Sequence, residues 1–139
     1  MRDTLEVGLS HVITIVVPER LTVPELMPDV PSWRAMPRVL ATSMLVALME
    51  WAATELLLPY CEDGEQTVGV RIDMTHEAPT PPGMEVEIKA ALTRIEGRLY
   101  DFHITARDRV ELIGVGKHRR ASIDRAKFDA RLQKKIARL

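Results

Sequence analysis

The chain of 139 residues has the length of one compact domain, and 46% hydrophobic with 28% charged residues is typical of a soluble globular protein. Lysine and arginine (19) nearly offset aspartate and glutamate (20), so the formal net charge of −1 creates no overall field to attract nucleic acid or anionic lipid. A single cysteine, Cys61, excludes an internal disulfide and a cysteine-rich zinc site, which favours a reducing, cytoplasmic location.

The first predicted strand covers residues 11–17, which are mostly β-branched. Acidic residues precede it and no small-residue cleavage site follows, so we predict no secretory signal. A loop over residues 18–39 comes next, in which prolines at 18, 24, 28, 31 and 37 leave room for only a short helical turn. Because this long loop carries Trp33 and Met36, we interpret it as a lid that contacts the substrate.

The most apolar segment is LATSMLVALMEWAATELLL, residues 40–58, and Pro59 ends it. Two glutamates and several hydroxyl side chains make its insertion into a bilayer costly, so we predict no membrane helix. The alternative is a helix that is buried on nearly every side in a soluble protein.

After Gly64 the hydrophobic period changes to two, which predicts a strand ending at His76. The alternation assigns Val68, Val70, Ile72, Met74 and His76 to the inner face, and Gly69 with Arg71 to the outer face. Further strands are predicted over 84–92, 99–106 and 110–122, joined by tight turns. Asp124 is expected to cap a basic C-terminal helix over 124–139.

This order of elements predicts an α+β domain spanning residues 1–139. Consecutive strands joined by short turns form an antiparallel sheet, and one curved five-stranded sheet can wrap the long apolar helix. That arrangement is the hot-dog fold. Because a single sheet leaves an edge and part of the helix uncovered, we also expect a homodimer with a joined sheet.

The charge is unevenly distributed along the chain. Residues 117–139 contain nine basic and two acidic side chains, whereas residues 1–116 carry a net charge of −8. The basic end can be a solvated helix face, a nucleic-acid arm, or a contact for ligand phosphates through Lys117, Arg119 and Arg120. Only six aromatic residues and the balanced total charge argue against a nucleic-acid module.

Glu50 and His76 are the first candidates for catalytic residues. The helical neighbours of Glu50 three and four positions away carry no charge, so its carboxylate has no built-in cation and is costly to bury. It either serves a reaction or simply meets water at a gap in the sheet. His76 ends the inner face of its strand, where it is either bonded to the backbone or placed to move a proton.

Thr42 and Ser43 lie at the start of the long helix, where their hydroxyl groups can cap free amides. A helix start also stabilises negative charge, such as the oxyanion that develops on a thioester carbonyl. Thr42 and Glu50 are eight residues apart, about 12 Å along a regular helix, so they cannot touch within one chain if both are helical. Thr42 must then precede the helix or come from a partner subunit.

Other kinds of site lack support in the sequence. No pair of histidines has the spacing of metal ligands, and no glycine-rich phosphate loop or nucleophile elbow is present. His118 lies inside the basic run and His103 on an outer strand face, so both are weak candidates. We expect neither a metal nor a cofactor.

Three segments in order, VLATSMLVALMEWAA, DMTHEAPTPPG and GVGKHRRASID, resemble the fluoroacetyl-CoA thioesterase-like branch of the hot-dog superfamily. The resemblance covers nearly the whole chain. It implies a homodimeric acyl-CoA thioesterase with Thr42, Glu50 and His76 as a catalytic triad. It also implies substrate contacts at Gly69 and Arg120.

The resemblance is incomplete in the lid. Members selective for the fluorinated substrate present an aromatic side chain where this chain has Met36, although Trp33 is nearby. We therefore expect hydrolysis of a short-chain acyl-CoA, substituted or halogenated acyl groups included, rather than strict fluoroacetyl selectivity. A non-catalytic acyl-CoA-binding protein and a hydratase on the same fold are the alternatives.

Overall fold

An antiparallel sheet and one long helix dominate the computed structural model, which describes all residues, Met1–Leu139. The strands are β1 (Ser10–Val16), β2 (Glu65–His76), β3 (Glu85–Glu96), β4 (Leu99–Asp108) and β5 (Leu112–Asp124). The helices are α1 (Val23–Leu26), α2 (Pro31–Arg34), α3 (Thr42–Leu57) and α4 (Arg125–Ile136), and 3-10 turns cover Glu19–Leu21 and Leu58–Tyr60. The strand order is β1-β3-β4-β5-β2, so β1 and β2 form the edges.

The core lies between α3 and the concave face of the sheet. Alternate residues of β3 and β4 point toward the helix and are buried: Val86, Ile88, Ala90, Leu92, Tyr100, Phe102, Ile104 and Ala106. The helix contributes Leu45, Leu48, Met49, Ala52, Ala53, Leu56 and Leu57. This is the predicted hot-dog fold, with the sheet wrapped around the central helix.

One face of α3 is open in the single chain, as expected from a sheet that leaves part of the helix uncovered. Trp51 is 42% exposed and Leu58, just after the helix, is also exposed. Glu50 and Thr54 lie on the same face and are half-buried. The sheet of one chain covers only the opposite side of the helix, so this apolar face is left to solvent.

Two glycines bring α3 close to β5. A side chain on Gly114 would meet Leu45 of α3 at 3.1 Å and the carbonyl oxygen of Thr75 in β2 at 2.5 Å, and one on Gly116 would meet the sulfur of Met49 at 3.0 Å. Both positions face the helix, and the absence of side chains lets Met49 pack against the strand itself.

A β-bulge interrupts the pairing of β2 with β5. The register shifts between Gly69 and Arg71, which leaves Val70 as an extra residue. Because one inserted residue reverses the alternation, Gly69 points toward α3 and Val70 is 53% exposed. The prediction that Val68 and Val70 share the inner face with Ile72 is therefore wrong.

The segment 18–39 folds as a proline-rich loop with three short helical turns, where the sequence predicted one. A bridge between Thr22 and Leu40 closes its base. At the other end of the chain, the side chain of Asp124 accepts a hydrogen bond from the amide of Lys127 (3.0 Å) and caps α4 as predicted. None of the helices is long and apolar enough to cross a bilayer.

Candidate active site

The first polar cluster joins the start of α3 to the end of β2. The hydroxyl oxygen of Thr42 lies 2.8 Å from Nδ1 of His76. The other ring nitrogen of His76, Nε2, is buried and has no hydrogen-bond partner. Burial lowers the pKa of His76, and a smaller effect of the Ala78 backbone opposes it, so the neutral ring is favoured. A neutral imidazole with a free nitrogen can accept or donate a proton.

Thr42 does not cap the helix, although capping was one interpretation of its position. Ala41 is the N-cap residue and supplies no side-chain hydrogen bond, and Thr42 is the first residue inside α3. The amide groups at this helix start are therefore not capped by a side chain, and its dipole favours negative charge there. Ser43 follows as an exposed residue.

The second cluster surrounds Glu50. Its carboxylate oxygen Oε1 lies 3.8 Å from Nη1 of Arg120, and the Glu50 side chain is 41% exposed while that of Arg120 is 8% exposed. The guanidinium donates hydrogen bonds to the hydroxyl group (3.0 Å) and the carbonyl oxygen (2.9 Å) of Thr67. No cation lies next to Glu50 on its own helix, and Arg120 of β5 supplies one.

Gly69 lets this carboxylate lie directly against the backbone of β2. A Cβ atom at position 69 would overlap Oε1 of Glu50 and would lie 3.3 Å from Cε1 of His118. The bulge at Val70 turns this glycine inward. The resemblance implied a role for Gly69, whereas simple alternation assigned it to the outer face.

His118 is the residue that sequence reasoning undervalued. It is 3% exposed and points inward, with Nδ1 2.8 Å from the carbonyl oxygen of Arg71 and Nε2 3.2 Å from Nη1 of Arg120. The signal was present in the sequence: alternation from Gly114 places the even-numbered residues of β5 toward the helix, and both His118 and Arg120 follow that rule. Thr67, which holds Arg120, was also missed.

Lys117 and Arg119 do not join either cluster. The same alternation places them on the outer face of the sheet, whereas Arg120 lies on the inner face. Arg119 donates two hydrogen bonds to the carboxylate of Asp101, at 2.7 and 3.0 Å, and these lower the pKa of Asp101. Lys117 and Arg119 therefore lie on the other face of the sheet from Arg120, because successive strand residues face opposite ways.

The lid residues stand apart from these contacts. Trp33 is half-buried in α2, and Met36 is exposed just after it. Met36 lines an open groove within the lid together with Pro24, Arg34 and Arg38. No group of three or more histidine, cysteine, aspartate or glutamate side chains is gathered to hold a metal ion.

Thr42 and Glu50 both belong to the regular helix α3, which settles the spacing question. Eight residues correspond to about 12 Å of helical rise, so the two clusters of one chain lie at separate points along α3. Within one chain the structure pairs Thr42 with His76, and Glu50 with Gly69 and Arg120.

Comparison with known proteins identifies close relatives. The family model described as FlK, fluoroacetyl-CoA-specific thioesterase, matches residues 23–126. The fluoroacetyl-CoA thioesterase of Streptantibioticus cattleyicolor is 42% identical over 135 residues, which is 97% of this chain and 97% of that protein.

Solved structures give the same result. The structure of the fluoroacetyl-CoA thioesterase FlK superposes with a TM-score of 0.92 at 41% identity, over 96% of this chain and 98% of that chain. A point mutant of the same enzyme, in complex with fluoroacetate and CoA, superposes with a TM-score of 0.87 at 42% identity, over 89% of this chain and 99% of that chain.

Proposed function

Since this chain belongs to the family of fluoroacetyl-CoA-specific thioesterases and is a thioester hydrolase, we propose a specific reaction for it. It hydrolyses a short-chain acyl-CoA, halogenated acyl groups included, to the free acid and CoA. One observation supports the assignment of thioester hydrolysis to the site around Glu50. The carboxylate of Glu50 lies against the backbone of Gly69, where any side chain would overlap it, and the buried guanidinium of Arg120 lies 3.8 Å away.

Glu50 is proposed as the group that starts the reaction. Its carboxylate either attacks the thioester carbonyl, forming an anhydride and releasing CoA thiolate, or removes a proton from the attacking water. In both cases Arg120 is proposed to compensate negative charge near the carbonyl, and Gly69 to let the thioester approach the backbone.

Thr42 and His76 are proposed to complete the site. The neutral ring of His76 is proposed to take up a proton from water in the site and, as the imidazolium, to pass it to the departing CoA sulfur. The hydroxyl of Thr42 fixes the ring through Nδ1, and the amides at the start of α3 can bind the carbonyl oxygen.

We propose that the two clusters meet across a homodimer, Glu50 of one protomer facing Thr42 and His76 of the other. Edge strand β2 presents unpaired backbone groups beside the exposed Val70 and Trp51, the kind of surface that a second copy covers. A two-fold axis would then create two equivalent sites.

Substitution of Glu50 tests the assignment. We expect Glu50→Gln to reduce thiol release by about 10²–10⁴-fold, because the amide can neither attack nor accept a proton. Glu55→Gln is the matched control: Glu55 lies on the same helix and accepts a hydrogen bond from Trp51 (3.0 Å). Retained turnover in Glu50→Gln with an intact fold would contradict the proposal.

The two roles of Glu50 are separated by intact-mass analysis of rapidly quenched reactions. Direct attack adds the mass of the acyl group to the protein, and the adduct must be absent from Glu50→Gln. Water activation leaves the mass of the protein unchanged during turnover.

The acyl group is proposed to be short but not strictly fluorinated, because Met36 stands where selective relatives are expected to carry an aromatic side chain. Thiol release from acetyl-, fluoroacetyl-, propionyl-, branched and aromatic CoA esters should show comparable turnover of several short esters. A strong preference for fluoroacetyl-CoA alone would contradict this part of the proposal.

We also propose a cytoplasmic enzyme that uses no cofactor apart from the CoA carried by its substrate, and that acts without nucleic acid or membrane. The lone Cys61 and the nearly balanced charge support these points. Full activity after extensive dialysis against a chelator is the expected result.

A further inference from the structure

We propose that His118 is a positioning residue for the thioester site, holding the Arg120 guanidinium and the bulge at Gly69 in place through both nitrogens of a neutral ring. The inference rests on the proposed hydrolysis at Glu50. His118 does not need to touch the substrate; it acts through the groups that do.

The hydrogen bonds of His118 define one protonation state. A carbonyl oxygen only accepts, so Nδ1, 2.8 Å from the carbonyl oxygen of Arg71, must carry a proton. A guanidinium only donates, so Nε2, 3.2 Å from Nη1 of Arg120, must be the unprotonated acceptor. The ring is therefore neutral, in the Nδ1–H form.

The two partners of His118 are the features that shape the space around Glu50. Arg71 directly follows the bulged residue Val70, so the bond to its carbonyl ties down the bulge that turns Gly69 inward. Nη1 of Arg120 donates the hydrogen bond to Nε2 of His118, and the same Nη1 lies 3.8 Å from the carboxylate of Glu50. The imidazole ring of His118 thus connects the bulge at Gly69 to the guanidinium of Arg120.

The surroundings of His118 favour this neutral form. Two charged groups face the ring: Arg120 from the same strand and Glu50 from α3. The carbonyl group of Arg71 approaches it from β2, and the ring of Phe102 in β4 lies at a centroid distance of 6.3 Å. Burial lowers the pKa of His118, and Arg120 adds to the decrease, while the Arg71 carbonyl and Glu50 oppose it. A protonated ring would point a second N–H at Arg120, remove its acceptor and repel it.

Two substitutions at position 118 test the role. We expect His118→Leu to lower kcat by about 10²-fold with a small change in KM, since misplaced charge affects the transition state more than binding. His118→Gln should recover most of that loss, because its amide can accept from Arg120 and donate to Arg71. His103→Gln, an exposed histidine on the outer face of β4, is the control and should leave both constants unchanged.

The pH profile distinguishes positioning from a purely structural role. In the wild type, kcat/KM should decrease at acidic pH partly because His118 becomes protonated. In His118→Gln this part of the decrease should be absent, so kcat/KM should fall less steeply with pH. A wild-type kcat in folded His118→Leu, or an unchanged acidic limb in His118→Gln, would overturn the proposal.

A nitrogen-15 NMR spectrum of the imidazole rings tests the ring independently of turnover. Assignment by comparison with His118→Gln should reveal an Nδ1–H ring at neutral pH, and an Nε2–H or doubly protonated ring would refute the inference. If the wild type releases no thiol from any acyl-CoA, the proposed function fails, while this spectrum still decides the state of His118.

Discussion

Complementation between two inactive variants tests whether the active site is shared by two protomers. The variants are His76→Ala and Glu50→Gln, which disable different clusters of the same chain. Thr42 is bonded to His76 at 2.8 Å and stands about 12 Å along α3 from Glu50, so a site with all three groups needs both chains.

The expected magnitude follows from two-fold symmetry. Random exchange of equal amounts makes half of the dimers mixed, and each mixed dimer has one intact site and one doubly substituted site. Thiol release should therefore rise from near zero to about a quarter of the wild-type rate. If the two variants carry different affinity tags, successive purification on both tags isolates the mixed dimers. Their yield measures the extent of exchange.

A second mixture serves as the control. Thr42→Val and His76→Ala disable the same cluster, so each site of their mixed dimer lacks one group and no activity should return. Verified exchange of His76→Ala with Glu50→Gln without any gain in turnover would refute the shared site.

Three further predictions concern stability and side-chain fit. Gly69→Ala should lower kcat at least about tenfold with little change in thermal stability, because the overlap of the new methyl group is with the flexible end of Glu50, while His118 Cε1 is 3.3 Å away. Kinetics and a thermal shift assay on one preparation check both. Gly114→Ala should instead lower the free energy of unfolding by about 1–3 kcal/mol in urea titrations, since its Cβ meets strand backbone at 2.5 Å. Burial lowers the pKa of both His76 and His118, so the unfolded chain binds more protons just below the ordinary histidine pKa, and the free energy of unfolding should decrease as the pH falls through that range. An unfolding free energy that is flat or rises on acidification from pH 7 would contradict the last prediction.

The periodicity of the sequence was sufficient for the fold. Alternation over 84–92 and 99–106 identified β3 and β4, and the change to a run of helix formers identified α3 within two residues at its start. These segments are locally consistent, because propensity, hydrophobic pattern and turn residues all favour the same structure.

The sequence could not reveal the bulge at Val70. A bulge inserts one residue whose pairing depends on the neighbouring strand, and the glycine in VGVRI is compatible with a bulge but does not fix its position. As a result, alternation placed Gly69 on the wrong face, and only the resemblance to a known family indicated its role. The link between His118 and Arg71 depends on the same bulge and was hidden for the same reason.

Which side of α3 is open could not be predicted, for a different reason. An apolar helix pattern does not tell whether a sheet of the same chain or a second chain covers each side. Trp51 and Leu58 belong to this apolar segment and are exposed in a single chain.

The close approach of Met49 to Gly114 and Gly116 limits how the substrate range of this protein can evolve. On the sheet side this contact is made by the main chain of β5, because Gly114 and Gly116 have no side chain that could be shortened. New acyl preferences should therefore arise in the proline-rich segment 18–39, whose short turns can be rebuilt without moving the central layers. Laboratory selections for bulkier acyl groups are expected to accumulate changes there, while positions 114 and 116 stay glycine.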